Sequence, residues 1–153
     1  MKREIKFRAW DKVNGCWTSI DSIALCDDGS IAYLLPEDDD MPPYLEDEVE
    51  IMQFTGLHDK NGREIYEGDL FEHRFGYTVF DDVIHEEMGI EYGTVVLEDG
   101  QFGVKIPALG VYNLYGLLLR DGHLDDMPKD DLFVMKIAGN IYEHPELLEE
   151  DIQ

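Results

Sequence analysis

The sequence predicts a mainly β protein built from several short antiparallel strands. Apolar and polar residues alternate with period two along several short segments, a pattern typical of strands with one buried face. Asn-Gly and Asp-Gly pairs separate these segments, and such pairs are strong signals of tight turns. With 153 residues, of which 44% are hydrophobic, the chain is long enough to bury a core.

The first 35 residues predict a meander of short strands. Residues 4–10 place Ile5, Phe7 and Ala9 on one face and charged residues on the other. A turn at 11–15 leads into a partner strand at 16–20, and Asp27-Asp28-Gly29 joins strands at 22–25 and 30–35.

Residues 37–50 predict an exposed acidic loop. The segment holds eight carboxylates, no basic residue and the pair Pro42-Pro43, which suits neither a helix nor a paired strand. We expect one domain over residues 1–153. The alternative is two lobes with a junction near 36–50.

The rest of the chain predicts strands at 49–57, 93–97, 101–106 and 132–138. Turns are expected at 59–62, at Gly68-Asp69 and at Asp99-Gly100, with Ile65, Leu70 and Phe71 entering a core. Residues 74–90 predict a second exposed excursion, and periodicity leaves 109–119 open between a strand pair and a short buried helix. Residues 145–152 predict a short acidic helix.

Net charge limits the classes of partner. The chain has 35 acidic and 12 basic residues, a net charge of −23. Residues 1–12 carry a net +3, whereas the remainder holds 7 basic and 33 acidic residues, a net −26. This charge argues against direct nucleic-acid binding, because phosphate backbones are repelled. An acidic surface can, however, imitate a phosphate backbone, so a decoy for a host nucleic-acid-binding protein is an alternative.

Location is predicted to be the cytoplasm. No apolar run suits a signal peptide, and no stretch reaches the 18 apolar residues of a membrane span. Cys16 and Cys26 lack the Cys-x-x-Cys spacing of zinc or redox sites, and we expect reduced thiols without a chemical role.

Motifs for specific chemistry are missing from the sequence. Phosphate-binding, dinucleotide-binding and nucleophile-elbow motifs do not occur, and residues 59–64 lack the spacing of a calcium loop. Asp81, Asp82, His85 and Glu86 could serve a metal-dependent hydrolase, although a solvated acidic face explains them more simply. We therefore assign no catalytic, cofactor-binding or metal-binding residue and expect no cofactor.

Four ordered segments of the chain carry a family resemblance, namely IKFRAWD at 5–11, MQFTGL at 52–57, DKNGREIYEGD at 59–69 and GNIYEHPELL at 139–148. In these segments the chain resembles the YopX family of bacteriophage and prophage proteins. The resemblance implies a phage or prophage origin and a mainly β fold of small-barrel character, with no established activity. Its variable stretches, 36–48 and 74–92, coincide with the predicted loops.

Most residues of these four segments are expected to have structural roles in turns and in the core. Four glycines are expected to permit turns, and eight large apolar residues are expected in the core. The glycines are Gly56, Gly62, Gly68 and Gly139, and the core candidates are Phe7, Trp10, Phe54, Leu57, Ile65, Tyr66, Ile141 and Tyr142. We expect SH3-like barrel features from Tyr66 to Ile106.

The favoured functional expectation is a non-enzymatic phage accessory protein that acts through protein–protein contacts. Its aromatic-rich, motif-poor composition suits a binding protein, and exposed strand edges could be covered by a homo-oligomer. The identity of the host or phage partner does not follow from the sequence.

Overall fold

The computed structural model describes residues 4–107, 109–119 and 133–148. The fold is mainly β, with 56% of the described residues in strands and 9% in helices, and its antiparallel sheets include a curled half-barrel. The predicted fold class is therefore confirmed. The chain divides into two compact units, Met1–Phe54 and Thr55–Gln153. Whether it is one domain or two stays a prediction.

The first unit contains two antiparallel strand groups. Its elements are β1 Phe7–Asp11, β2 Cys16–Thr18, β3 Ser22–Leu25, β4 Ile31–Leu35, a 3₁₀ turn at Glu46–Glu48, and the first half of β5, Val49–His58. β1 pairs with β2 and with β5, so that Trp10 lies opposite both Trp17 and Glu50. β3 and β4 form a separate hairpin.

The core of this unit is small and includes part of the predicted acidic loop. Ala9, Leu34, Tyr44 and Val49 are buried together. The backbones of Leu34 and Tyr44 exchange two hydrogen bonds of 2.8 Å, which anchor the segment between β4 and β5. Phe7 is 42% exposed, so its predicted burial is wrong. Period two identifies which residues share a face but not how far along the strand the core extends.

The second unit is built around a five-stranded antiparallel sheet in the order β10-β9-β8-β7-β11. Its elements after β5 are β6 Glu64–Tyr66, β7 Asp69–Val79, β8 His85–Glu98, β9 Gln101–Ile106, β10 Gly110–Asn113, α1 Leu114–Leu118, β11 Phe133–Asn140 and a 3₁₀ turn at Pro145–Leu147. The core comprises Ile65, Phe71, Val95, Val104, Ile106, Leu114, Leu117, Leu118, Met135 and Ile137. None of the helices in the described ranges could reach across a bilayer.

The hairpin of β8 and β9 confirms the prediction made from Asp99-Gly100. Both residues have positive φ angles, 51° and 76°, as a two-residue turn of the type favoured between twisted strands requires. Glu98 lies opposite Gln101, and the register continues without interruption to Thr94 opposite Lys105.

Residues 109–119 combine parts of both alternatives. Gly110–Asn113 forms the edge strand β10, and the next five residues form α1. The Asn113 side chain starts the helix by accepting a hydrogen bond of 2.9 Å from the Gly116 N–H. The predicted C-terminal helix is reduced to the 3₁₀ turn Pro145–Leu147, and residues 149–152 lie outside the described residues.

Residues 74–90 form an exposed excursion, as predicted, but the assignment of this stretch to a loop is wrong. Residues 74–79 and 85–90 continue β7 and β8 as paired strands, joined by a short connection. Both faces of this two-stranded ribbon are exposed. Because neither face has to be apolar, apolar and polar residues do not alternate along its strands as they do in a half-buried strand.

Candidate interaction site

The outer parts of β7 and β8 form a two-stranded arm, defined here as residues 74–90. Residues 74–79 pair with residues 85–90 in uninterrupted register. Within the described residues, the pairing of β11 with β7 extends to His73 and the pairing of β9 with β8 extends to Thr94. Among the described residues, therefore, no strand pairs with either outer edge of the arm.

Large apolar side chains are concentrated on the arm. Six of them are between 44% and 79% exposed, namely Tyr77, Phe80, Val83, Ile84, Met88 and Ile90. Tyr77 lies on one face of the arm, Met88 and Ile90 lie on the other, and Phe80, Val83 and Ile84 are at its end. Exposed apolar side chains concentrated in this way on one element can mark an interaction site.

One face of the arm carries a row of rings. The His73 and Phe75 rings stack with centroids 6.2 Å apart, and the Phe75 and Tyr77 rings follow at 6.1 Å. Phe75 lies over Gly89 on β8, where an added Cβ would come within 2.5 Å of the Phe75 ring. The glycine therefore lets the aromatic side chain lie flat across the ribbon.

Polar contacts fasten this face at its outer end. The Tyr77 hydroxyl donates to the Glu87 carboxylate at 2.8 Å, and the other Glu87 oxygen lies 3.0 Å from His85 Nε2. His85 Nδ1 lies 2.8 Å from the Val83 carbonyl oxygen. The Val83 carbonyl and, next, Glu87 raise the pKa of His85, since a protonated ring can donate to both acceptors. His85 and Tyr77 in turn lower the pKa of Glu87.

A partly buried hydrogen bond lies at the base of the arm. His73 Nδ1 is 2.9 Å from a Glu91 carboxylate oxygen across the β7–β8 pairing, and His73 is only 4% exposed.

The opposite face of the arm carries different side chains, because successive strand residues point to opposite sides. There Arg74, Gly76 and Thr78 lie opposite Ile90, Met88 and Glu86.

The proposed metal ligands are only partly brought together. Asp81 Oδ1 accepts a hydrogen bond from the Val83 N–H and lies 3.8 Å from His85 Nδ1. Glu86 belongs to the other face of β8 from His85, because the two are consecutive strand residues. Across the described ranges, no group of three or more metal-ligating side chains assembles. Glu87, which the hydrolase alternative does not include, lies on the same strand face as His85 because the two are separated by two positions.

The polar residues of the family-like segments stabilise turns. Asp59 is 2% exposed; its Oδ1 accepts from the N–H groups of Asn61 and Arg63, both at 2.9 Å. Its Oδ2 accepts from the Ile137 N–H at 2.8 Å, joining this turn to β11. Residues 59–63 thus form the predicted turn, which leads into β6, and the Asp59 carboxylate accepts hydrogen bonds from backbone donors.

Two further buried polar residues serve turns of the second unit in the same way. Asp69 Oδ2 accepts from the Tyr66 N–H at 2.8 Å, and Asn140 Oδ1 accepts from the N–H groups of Tyr142 and Glu143. Gly139 does not supply a positive-φ turn as predicted. It permits close approach, since a Cβ there would come within 2.6 Å of the His144 ring.

Asp11 is the corresponding residue of the first unit. It is 1% exposed and accepts from the N–H groups of Val13 and Asn14, from the Asn14 side chain, and from the Tyr44 hydroxyl at 2.8 Å. Burial alone would raise the pKa of Asp11. The hydrogen bonds from Asn14, Tyr44 and Val13 together outweigh burial, and the pKa is lowered.

The family model described as YopX protein matches residues 6–149. This chain belongs to the YopX family. The resemblance carried by the four sequence segments is therefore confirmed, and in this chain those segments place the buried residues Asp59, Asp69 and Asn140 at turns.

Two solved structures have the same fold. Protein EF1440 from Enterococcus faecalis is 27% identical and aligns over 97% of this chain and 100% of its own, with a TM-score of 0.61. Protein yopX from Bacillus subtilis is 19% identical and aligns over 94% of this chain and 95% of its own, with a TM-score of 0.52. No curated protein sequence matches the chain.

Proposed function

We propose that this YopX-family chain is a non-enzymatic binding protein and that the arm, residues 74–90, is its docking element. The observation that carries the proposal is the exposure of Phe80, Val83 and Ile84 at the end of a regular hairpin, each at 69% or more. Leaving such side chains in water forgoes about 1.5–3 kcal/mol each of burial free energy, which a partner surface can recover.

The internal order of the arm supports this role. Tyr77 and His85 both bond to Glu87, and Phe75 packs over Gly89, so contacts within the ribbon hold its two strands together. A pre-ordered element loses less conformational entropy when it binds than a flexible loop does. The proposed setting is an accessory protein of a bacteriophage or prophage that acts in the host cytoplasm.

Site-specific photocrosslinking tests the proposal. Phe80→benzoylphenylalanine places a reactive group at the end of the arm, and Val13→benzoylphenylalanine places it at a matched exposed apolar position of the first unit, 69% exposed. In lysate of the organism that encodes the chain, we expect a discrete product from the first protein and not from the second. The same products from both positions, or none from either, would overturn the proposal.

A further inference from the structure

The outer edge of β8 in the arm has backbone groups directed away from β7. Glu98 and Gln101 flank the two-residue turn, so their backbones form hydrogen bonds with each other. The backbone N–H and C=O groups of the other even-numbered β8 residues therefore also point toward the β9 side. Consistent with this, the carbonyl of Val95 accepts from the Gly68 N–H on the β7 side. By the same alternation, the N–H and C=O groups of Glu86, Met88 and Ile90 point to the outer edge.

The side chains along this edge alternate in chemistry. Met88 and Ile90 lie on one face and are 63% and 55% exposed, whereas Glu87 and Glu91 lie on the other. A strand added to this edge would therefore meet two apolar side chains, with Glu86 at their end, on one side and two carboxylates on the other.

We infer that this edge binds an extended segment of a partner protein in which apolar and basic residues alternate, a conclusion that rests on the arm being the docking element. The backbone of such a segment would pair with Glu86, Met88 and Ile90. Its apolar side chains would cover Met88 and Ile90, and its Lys or Arg side chains would face Glu87 and Glu91.

Charge favours this occupant over a second copy of the chain. Residues 74–90 contain Arg74 and four carboxylates, a net charge of −3 with histidine neutral, and the whole chain carries −23. Pairing two copies at this edge would bring like charges together, whereas a basic segment gains attraction that also speeds association.

Fluorescence anisotropy with defined peptides tests the inference on the full chain. The probe is a labelled peptide of about eight residues that alternates lysine and valine, a length suited to one strand. A peptide of the same composition with its lysines and valines in two blocks controls for charge alone. An alternating peptide N-methylated on its strand-pairing edge controls for backbone bonding.

We expect the alternating peptide to bind about tenfold more tightly than either control, since two or more cross-strand contacts are lost in each. Met88→Lys should weaken its binding by about tenfold. The control variant Leu25→Lys adds the same charge at a residue on β3 that is 65% exposed, and it should leave peptide binding unchanged. Equal binding of the block peptide, or equal effects of the two variants, would overturn the inference.

The outcome separates this inference from the proposed function. A Phe80 crosslink to another protein, with no preference for the alternating peptide, would refute the partner chemistry and leave the docking role intact. A Phe80 crosslink between two copies of the purified chain would likewise replace the basic segment with a second copy. If the protein with the crosslinker at position 80 gives the same result as the protein with the crosslinker at position 13, both the docking role and the partner chemistry are refuted.

Discussion

The turn at Asp59 should contribute heavily to the stability of the second unit. Asp59→Ala removes the acceptor for the N–H groups of Ile137, Asn61 and Arg63. Of these donors, Ile137 lies in β11 and is only 9% exposed. A buried donor left without a partner costs about 1–3 kcal/mol. The two turn donors belong to exposed residues and can bind water instead, so we expect a total loss of about 3 kcal/mol in the free energy of unfolding.

Urea unfolding followed by far-UV circular dichroism measures this loss. Asp59→Asn keeps one oxygen for the turn but sets an amide against the Ile137 N–H, so its loss should lie between wild type and Asp59→Ala. Asp28→Ala is the matched control, because Asp28 accepts from the Ser30 N–H at 2.9 Å in a similar but exposed turn. A loss for Asp59→Ala no larger than that for Asp28→Ala would show that the contact with β11 does not stabilise the fold.

Further variants test the first unit, the sheet and the arm. The lowered pKa of Asp11 predicts that this carboxylate stabilises the fold fully above pH 3.8, its ordinary pKa, and that this stability is lost as pH falls through the folded-state pKa. Asp11→Asn should therefore flatten the loss of stability with acid in tryptophan-monitored urea unfolding. An unchanged acid profile would contradict this prediction. Tyr44→Phe, which removes the hydroxyl that donates to this buried carboxylate, should cost about 1.5–3 kcal/mol by the same assay, and a neutral effect would argue against the bond. Gly93→Ala should cost about 1–3 kcal/mol, because the new Cβ would come within 2.5 Å of Ile106 in the core. Gly76→Ala, whose nearest neighbour would be at 3.7 Å, should leave the melting temperature nearly unchanged, and equal losses would refute the steric reasoning.

Local turn chemistry could be predicted from the sequence. Asp99-Gly100 predicted its hairpin because both residues must tolerate positive φ, and Asp59 was expected to bond with its own downstream backbone. The bond from Ile137 to Asp59 could not be foreseen, since it joins residues 78 positions apart. Its geometry depends on the sheet that brings β11 beside the turn.

The arm could not be predicted for a different reason. Strand prediction relies on a contrast between a buried and an exposed face, and the outer ribbon has neither a covered face nor a covered edge among the described residues. Its carboxylates at Asp81 and Asp82 indicated a loop, and these two do occupy the connection between the strands. The element that we propose as the docking site is thus one whose sequence shows no clear strand pattern.

A competition experiment tests the docking role most directly. Replacing residues 76–88 with Asn-Gly would close the hairpin between Phe75 and Gly89, which are paired across β7 and β8. The core cluster of the second unit contains no residue of the deleted segment, so the shortened protein should keep its fold. Excess unlabelled wild-type protein should abolish the photocrosslink from position 80, and the shortened protein at the same concentration should leave it unchanged. Equal competition by the two proteins would contradict the assignment of binding to the arm.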